Sequence, residues 1–249
     1  MLQDIQNYDD PEIGKLVRQR HQRSKLLFDK GPPEALLGDY ELSLEGLARS
    51  ALMQQRFTSR RENIERCWTQ AQLYLPELLT APPQDVLEIS TGHGAMLELL
   101  RHYGHNVMGT DYARTVWSSG AFSDAVKPDW PYRHVVESID LPMTVFDGRL
   151  VPYPFANDSY DVVMCLQAID HFGHPDDWMP LIDEYCRISR KTVLVLLTPP
   201  ATPRRIGSGY EAAFRDFQLG LSRFRRSGFV CTGVFLHQEQ PLGFKLSNK

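Results

Sequence analysis

The sequence predicts an α/β protein: a doubly wound sheet of about seven strands, mostly parallel, with an antiparallel C-terminal hairpin and a helical N-terminal extension. Three observations predict it. From residue 85 onward, short β-rich runs alternate with helical stretches, the pattern of βαβ units. The runs Val162-Val163-Met164 and Val193-Leu194-Val195-Leu196-Leu197 are continuously apolar, as strands covered on both faces are. The last two runs are separated only by residues 238–241, too few for a crossover helix, so they pair antiparallel.

The elements follow in order. Residues 11–80 show helical spacing without strand runs, with Leu16, Leu26 and Leu27 set among Lys15, Arg18, Arg20, Arg23 and Lys25, and Leu73, Leu75, Leu78 and Leu79 at the end. Gly31-Pro32-Pro33 interrupts this region and Ala81-Pro82-Pro83 ends it, because proline lacks the amide donor and restricts the residue before it. Two units are expected: a helical extension over residues 1–82 and a sheet domain over 83–249. Strands are expected at 85–89, 106–110, 143–146, 160–166 and 192–198, a helix at 210–227, and the hairpin strands at 229–237 and 242–247. Residues 118–141 read as a helix plus an irregular insertion.

Composition excludes several classes. The chain of 249 residues is 42% hydrophobic and 23% charged, enough to bury a core and unlike a disordered chain. Acidic residues outnumber basic ones, 31 to 27, so no global field would hold a polyanion, and no nucleic-acid partner is expected. No apolar stretch approaches the roughly 20 residues of a membrane span. Asp4, Asp9 and Asp10 are foreign to a secretion signal, so a cytoplasmic address is expected. Cys67, Cys165, Cys186 and Cys231 form no C-x-x-C pair and read as reduced, mostly buried thiols.

The chemistry concentrates at the strand ends. Val86-Leu87-Glu88-Ile89 runs into Ser90-Thr91-Gly92-His93-Gly94 and then a helix; glycine there gives positive φ and lets a ligand approach the backbone. Dinucleotide sites use G-x-G-x-x-G, but Leu97 stands at the third glycine position, which disfavours a nicotinamide-dependent oxidoreductase. Glu88 at the strand end would repel a pyrophosphate and attract a cation. Asp111 closes the second strand within about 20 residues of the glycines, where a carboxylate can accept two hydrogen bonds from a ribose diol. Phe146-Asp147-Gly148 closes the third, followed by Pro154-Phe155-Ala156-Asn157-Asp158-Ser159-Tyr160-Asp161-Val162-Val163. Either aspartate alone reads more readily as a turn carboxylate; the ordered set is far more specific.

That set resembles class I S-adenosylmethionine-dependent methyltransferases, closest to the methyltransferase type 11 group, over roughly residues 85–198. The resemblance implies a Rossmann-like fold and S-adenosyl-L-methionine as cofactor, leaving as S-adenosyl-L-homocysteine. It implies that Glu88, Ser90 and Gly92 line the methionine moiety and that Asp111 holds the ribose. Tyr112 would stack beside the adenine, Asp147 with the Gly148 amide would read its edge, and Gln167 would face the sulfonium. Ser90 departs from the family, which usually has glycine there; serine fits if its φ is negative.

Methyl transfer is an in-line displacement needing proximity and exclusion of water, and no metal. A hydroxyl or ammonium acceptor must lose a proton, and His171, just past the fourth strand, is the first candidate base; it equally fits a role packing the next helix. His174 is the second. His171, His174, Asp176 and Asp177 also suggest a metal site, though exposed loop residues before a helix are commoner. Arg204, Arg205, Arg215, Arg223, Arg225 and Arg226 make the later segment basic, either a solvated face or, at Arg204 or Arg205, a partner for an acidic acceptor. The expected function is methylation of a small or medium-sized acceptor, oxygen before nitrogen; the alternative is a catalytically silent scaffold or regulator that keeps the cofactor pocket.

Overall fold

The computed structural model describes residues 30–52, 59–112, 130–198, 210–235 and 242–249. One sheet runs through them. Its strands are β1 (Asp85–Ile89), β2 (Asn106–Asp111), β3 (Met143–Val145), β4 (Tyr160–Leu166), β5 (Ser189–Leu197), β6 (Arg225–Arg226), β7 (Phe229–Phe235) and β8 (Leu242–Asn248). The order is β3-β2-β1-β4-β5-β8-β7-β6. β1 to β5 are parallel, and β8, β7 and β6 continue antiparallel. The strand order reverses between β1 and β4, which opens a crevice at their C-terminal ends, the usual ligand position in such sheets.

The sheet has eight strands, one more than expected, and the last helix is shorter. Tyr210–Ser222 is helical, not residues 210–227. Ser227 and Gly228 both have positive φ, 53° and 79°, and join Arg226 to Phe229 as a tight hairpin turn, so the chain leaves the helix to form β6.

Seven helices surround the sheet: α1 (Leu44–Leu52), α2 (Arg60–Tyr74), α3 (Ala95–His102), α4 (Arg133–Ser138), α5 (Ile169–Phe172), α6 (Trp178–Ile188) and α7 (Tyr210–Ser222) among the described residues. Successive strand side chains point to opposite faces. Leu87, Ile89, Val163, Cys165, Val193 and Val195 therefore bury against Trp178, Leu181 and Tyr185 of α6 and Phe214 and Phe217 of α7. Val86, Val162, Met164, Leu194 and Leu196 bury on the other face with Ile64, Cys67, Trp68 and Ala71 of α2 and Leu97 and Leu100 of α3. The period puts Glu88 on this second face, beneath α2.

α2 starts where the Ser59 hydroxyl accepts from the Glu62 amide. Its first residue, Arg60, forms an ion pair with Glu98 of α3, whose side chain is only 3% exposed. At the N-terminal edge of the sheet Arg190 binds Asp85 at 2.6 Å and Asp161 at 3.1 Å, tying β1, β4 and β5. Asp161, part of the motif quoted above, thus lies at the edge away from the crevice. The Arg18 to Lys25 segment, Arg204 and Arg205 lie outside the described residues.

Candidate active site

β1 ends in a turn of three left-handed residues: Ser90 has φ 57°, Gly92 61° and Gly94 75°. The expectation of a negative φ at Ser90 is corrected. Hydrogen bonds across to β2 hold this bend: Ser90 N–H donates to Thr110 Oγ1 at 3.1 Å, Thr110 N–H to Thr91 Oγ1 at 3.0 Å, and Thr91 Oγ1 to the Glu88 carbonyl at 3.1 Å. A serine tolerates the left-handed conformation there because the end of β1 and the bonds to Thr110 of β2 fix its backbone.

Glu88 is 3% exposed, and its Oε2 has no hydrogen-bond partner among the described residues. Burial, and then the charge of Asp111, push its carboxyl well above the ordinary range. Leaving such a group unpaired costs about 1–3 kcal/mol, which a cationic ligand would remove. Asp111 is held by three donors: Tyr112 N–H at 2.7 Å, the Trp130 indole at 2.9 Å, and the Gly92 N–H. Burial outweighs them and raises its pKa to about 6. A carboxylate offers about four acceptor positions, so one remains for a ligand hydroxyl beyond these three.

Next along the rim, Asp147 accepts from the Arg149 guanidinium at 2.9 and 2.7 Å and from the Arg149 N–H at 3.0 Å. Burial raises its pKa, but these bonds outweigh burial and hold it below the usual range. The same guanidinium lies 5.7 Å from the Tyr112 ring centroid, and the Gly148 carbonyl accepts from Tyr153 at 2.6 Å. Asp147 thus faces Arg149 with both oxygens. A Cβ on Gly92 would sit 3.7 Å from the Tyr132 ring, so that ring flanks the glycine turn.

Gln167, φ 54°, donates its N–H to the Leu196 carbonyl, which leaves its own carbonyl facing Thr198. His171 is exposed on α5, at the β4 end of the crevice. His174 caps a short 3-10 turn by accepting the Asp176 N–H, and no group of three or more metal-binding side chains gathers among the described residues. The structure therefore brings Glu88, Gly92 and Asp111 into one cluster, continued through Tyr112 to Asp147 and Gly148. Gln167 and His171 stand apart from it beyond β4, Gln167 in the turn and His171 on α5. Sequence reading missed Trp130, which fell in the stretch 118–141, and Arg149, whose only signal was its place two residues after Asp147.

Two buried carboxyl groups thus stand beside one glycine turn, one of them with an oxygen that has no described partner, and such a pair can take hydrogen-bond donors or a cation. The model of the family described as methyltransferase domain matches residues 55–231. The chain belongs to that methyltransferase family. The match includes α2 and strands β1 to β6; it ends within β7, and β8 lies beyond it. None of the curated proteins matches in sequence. Among solved structures, the methyltransferase is similar to a putative Zn-dependent alcohol dehydrogenase from Rhodobacter sphaeroides, at 10% identity and TM-score 0.51, covering 82% of this chain and 98% of that one. It is also similar to magnesium protoporphyrin IX methyltransferase from Synechocystis with bound SAM, at 14% identity and TM-score 0.45, covering 97% and 86%. A third is a putative methyltransferase in complex with the Haloferax volcanii Trm112 activator, at 21% identity and TM-score 0.41, of which this chain spans 60% while 61% of this chain is covered. At such identities the likeness is one of fold.

Proposed function

We propose that this methyltransferase transfers the methyl group of S-adenosyl-L-methionine to a small or medium-sized acceptor, to oxygen before nitrogen. The observation that carries this reading is the buried Glu88 carboxyl, whose Oε2 has no hydrogen-bond partner among the described residues, beside Gly92 and Asp111. When bound, the cofactor supplies a methyl carbon activated by a sulfonium. Glu88, Ser90 and Gly92 line the methionine moiety, and Asp111 accepts from the ribose. Tyr112 flanks the adenine, with Asp147 and Gly148 at its edge, where the Asp147–Arg149 pair must share its oxygens or reorient. Gln167 faces the reacting end.

His171 removes the acceptor's proton, a contribution of about 10²–10⁴ in rate for a positioned base. We assign acceptor specificity to the N-terminal extension expected over residues 1–82. The net charge of −4 favours a small acceptor over a polyanion. A cytoplasmic location is supported by four free cysteines, three of them buried.

Calorimetric titration with S-adenosyl-L-methionine, repeated on Asp111→Ala, tests the cofactor assignment. The variant is expected to bind at least about 10-fold more weakly, since a charged hydrogen bond contributes roughly 1.5–3 kcal/mol. Equal affinities would remove Asp111 from the ribose site. Turnover of labelled cofactor across a panel of hydroxyl and amine acceptors separates an enzyme from a silent scaffold.

A further inference from the structure

Arg66, in the middle of α2, brings a cation to the glycine turn that the proposed function leaves unused. Its Nη2 donates to the Asn63 amide oxygen at 2.8 Å and stands 2.7 Å from Nε2 of His93. His93 lies between Gly92 and Gly94, so α2 touches the tip of the turn through this guanidinium. Neither partner is an anion. Burial, and then the Arg66 charge, push the His93 pKa down to about 3, so the ring is neutral. Its Nδ1 also faces a donor, the Ala95 N–H at 3.2 Å. A neutral imidazole has one lone-pair nitrogen, so Arg66 and Ala95 compete for it.

The other partly buried guanidiniums among the described residues are neutralised. Arg60 pairs with Glu98, Arg149 with Asp147, Arg187 with Glu184, and Arg190 with Asp85 and Asp161. Among the described residues no carboxylate pairs with Arg66. Glu88, the orphaned acid, lies on the sheet face that α2 covers, and its charge and that of Arg66 act in opposite senses on the Cys67 thiol. A guanidinium without an anion and a carboxylate without a cation thus border one glycine turn. That arrangement complements an α-amino acid, whose carboxylate and ammonium are fixed in opposite directions.

Resting on the reading that the cofactor is S-adenosyl-L-methionine, we infer that Arg66 binds the α-carboxylate of its methionine moiety. α2 is then part of the cofactor site itself, and the guanidinium fork suits a carboxylate in a way an ammonium would not.

The test is a calorimetric cycle on the full chain with three ligands: S-adenosylhomocysteine, its decarboxylated analogue, and 5′-methylthioadenosine, which lacks the amino acid. On the unmodified chain, loss of the carboxylate is expected to weaken binding on the order of 10- to 100-fold. On Arg66→Gln, S-adenosylhomocysteine is expected to fall to the level of its decarboxylated analogue, with 5′-methylthioadenosine within about 2-fold of its original affinity. Arg66→Lys should retain part of the difference. Equal affinities of the first two ligands on the unmodified chain would overturn the inference without use of any variant. So would a parallel loss of all three on Arg66→Gln, which would make Arg66 a support of the turn. Failure of the unmodified chain to bind any of them would instead sink the cofactor reading, and this inference with it.

Discussion

The Nε2 atom of His171 lies 3.1 Å from the hydroxyl of Thr198. The hydroxyl's two other neighbours are acceptors, the Gln167 carbonyl at 3.4 Å and the Asp170 carboxylate at 3.2 Å. Its one proton is therefore committed to them, and its lone pair takes the Nε2–H of the imidazole. Neutral His171 is therefore expected to be the Nε2–H tautomer, with its lone pair on Nδ1. Nitrogen NMR of the neutral enzyme should show Nδ1 as the unprotonated nitrogen, with the tautomers mixed in Thr198→Val. Turnover of His171→Ala should fall about 10²–10⁴-fold with cofactor affinity unchanged within about 2-fold; full turnover would eliminate the base.

Asp111 makes stability depend on pH with a defined sign. Its folded pKa is raised from 3.8 to about 6. Between those values the folded state holds the proton more tightly than the unfolded chain, so stability falls as pH rises through the window, and the cost is fully present above about pH 6. Asp111→Asn forfeits the Trp130 bond at every pH but escapes this titration. Its stability relative to the parent should therefore improve by about 1–3 kcal/mol between about pH 4 and pH 7.5, measured by urea unfolding. A difference that does not vary with pH would refute the raised pKa.

Ser90 holds a left-handed backbone at φ 57° with a side chain that gains nothing from it in hydrogen bonds. Ser90→Gly should raise stability by about 0.5–1 kcal/mol, the left-handed penalty less the added entropy of the unfolded chain. Gly94→Ala should do the reverse and lose about 2–4 kcal/mol, because φ is 75° and the new Cβ would meet Leu141 Cδ2 at 2.7 Å. Thermal denaturation of the two variants shifts in opposite directions if the turn has this shape.

The Arg60–Glu98 pair fastens α2 to α3. Arg60→Ala leaves a carboxylate buried at 3% exposure without its partner and should cost about 3–5 kcal/mol in denaturant unfolding. Arg60→Met combined with Glu98→Met should recover most of the loss, since two apolar side chains leave no buried charge. A double variant as unstable as the single would assign the cost to packing of α2.

The parallel strands were legible because each is short, apolar and flanked by turn residues. β6 was not, since Arg225 and Arg226 carry no apolar signature; only the Ser227-Gly228 dipeptide announced a turn. β5 begins at Ser189 and not at 192 because Arg190, polar by sequence, is neutralised by Asp161 on the neighbouring β4 and by Asp85 on β1 beyond it. At the site, Glu88 and Asp111 were readable from their places at strand ends. Arg66, Trp130 and Arg149 were not, because their partners come from other elements or, for Arg149, from a turn geometry that spacing does not specify. The φ of Ser90 was misjudged since residue type there favours the opposite sign, and only the pairing of β1 with β2 decides it.

β8 sits inside the sheet, between β5 and β7, although it is translated after both. A chain that ends at residue 241 has a β5 without its antiparallel neighbour and a β7 with only the two-residue β6 beside it. Such open edges are templates for pairing with other chains. A nonsense or frameshift change just before Leu242 would consequently act as a lesion of the core, releasing an aggregation-prone product rather than a slightly trimmed enzyme.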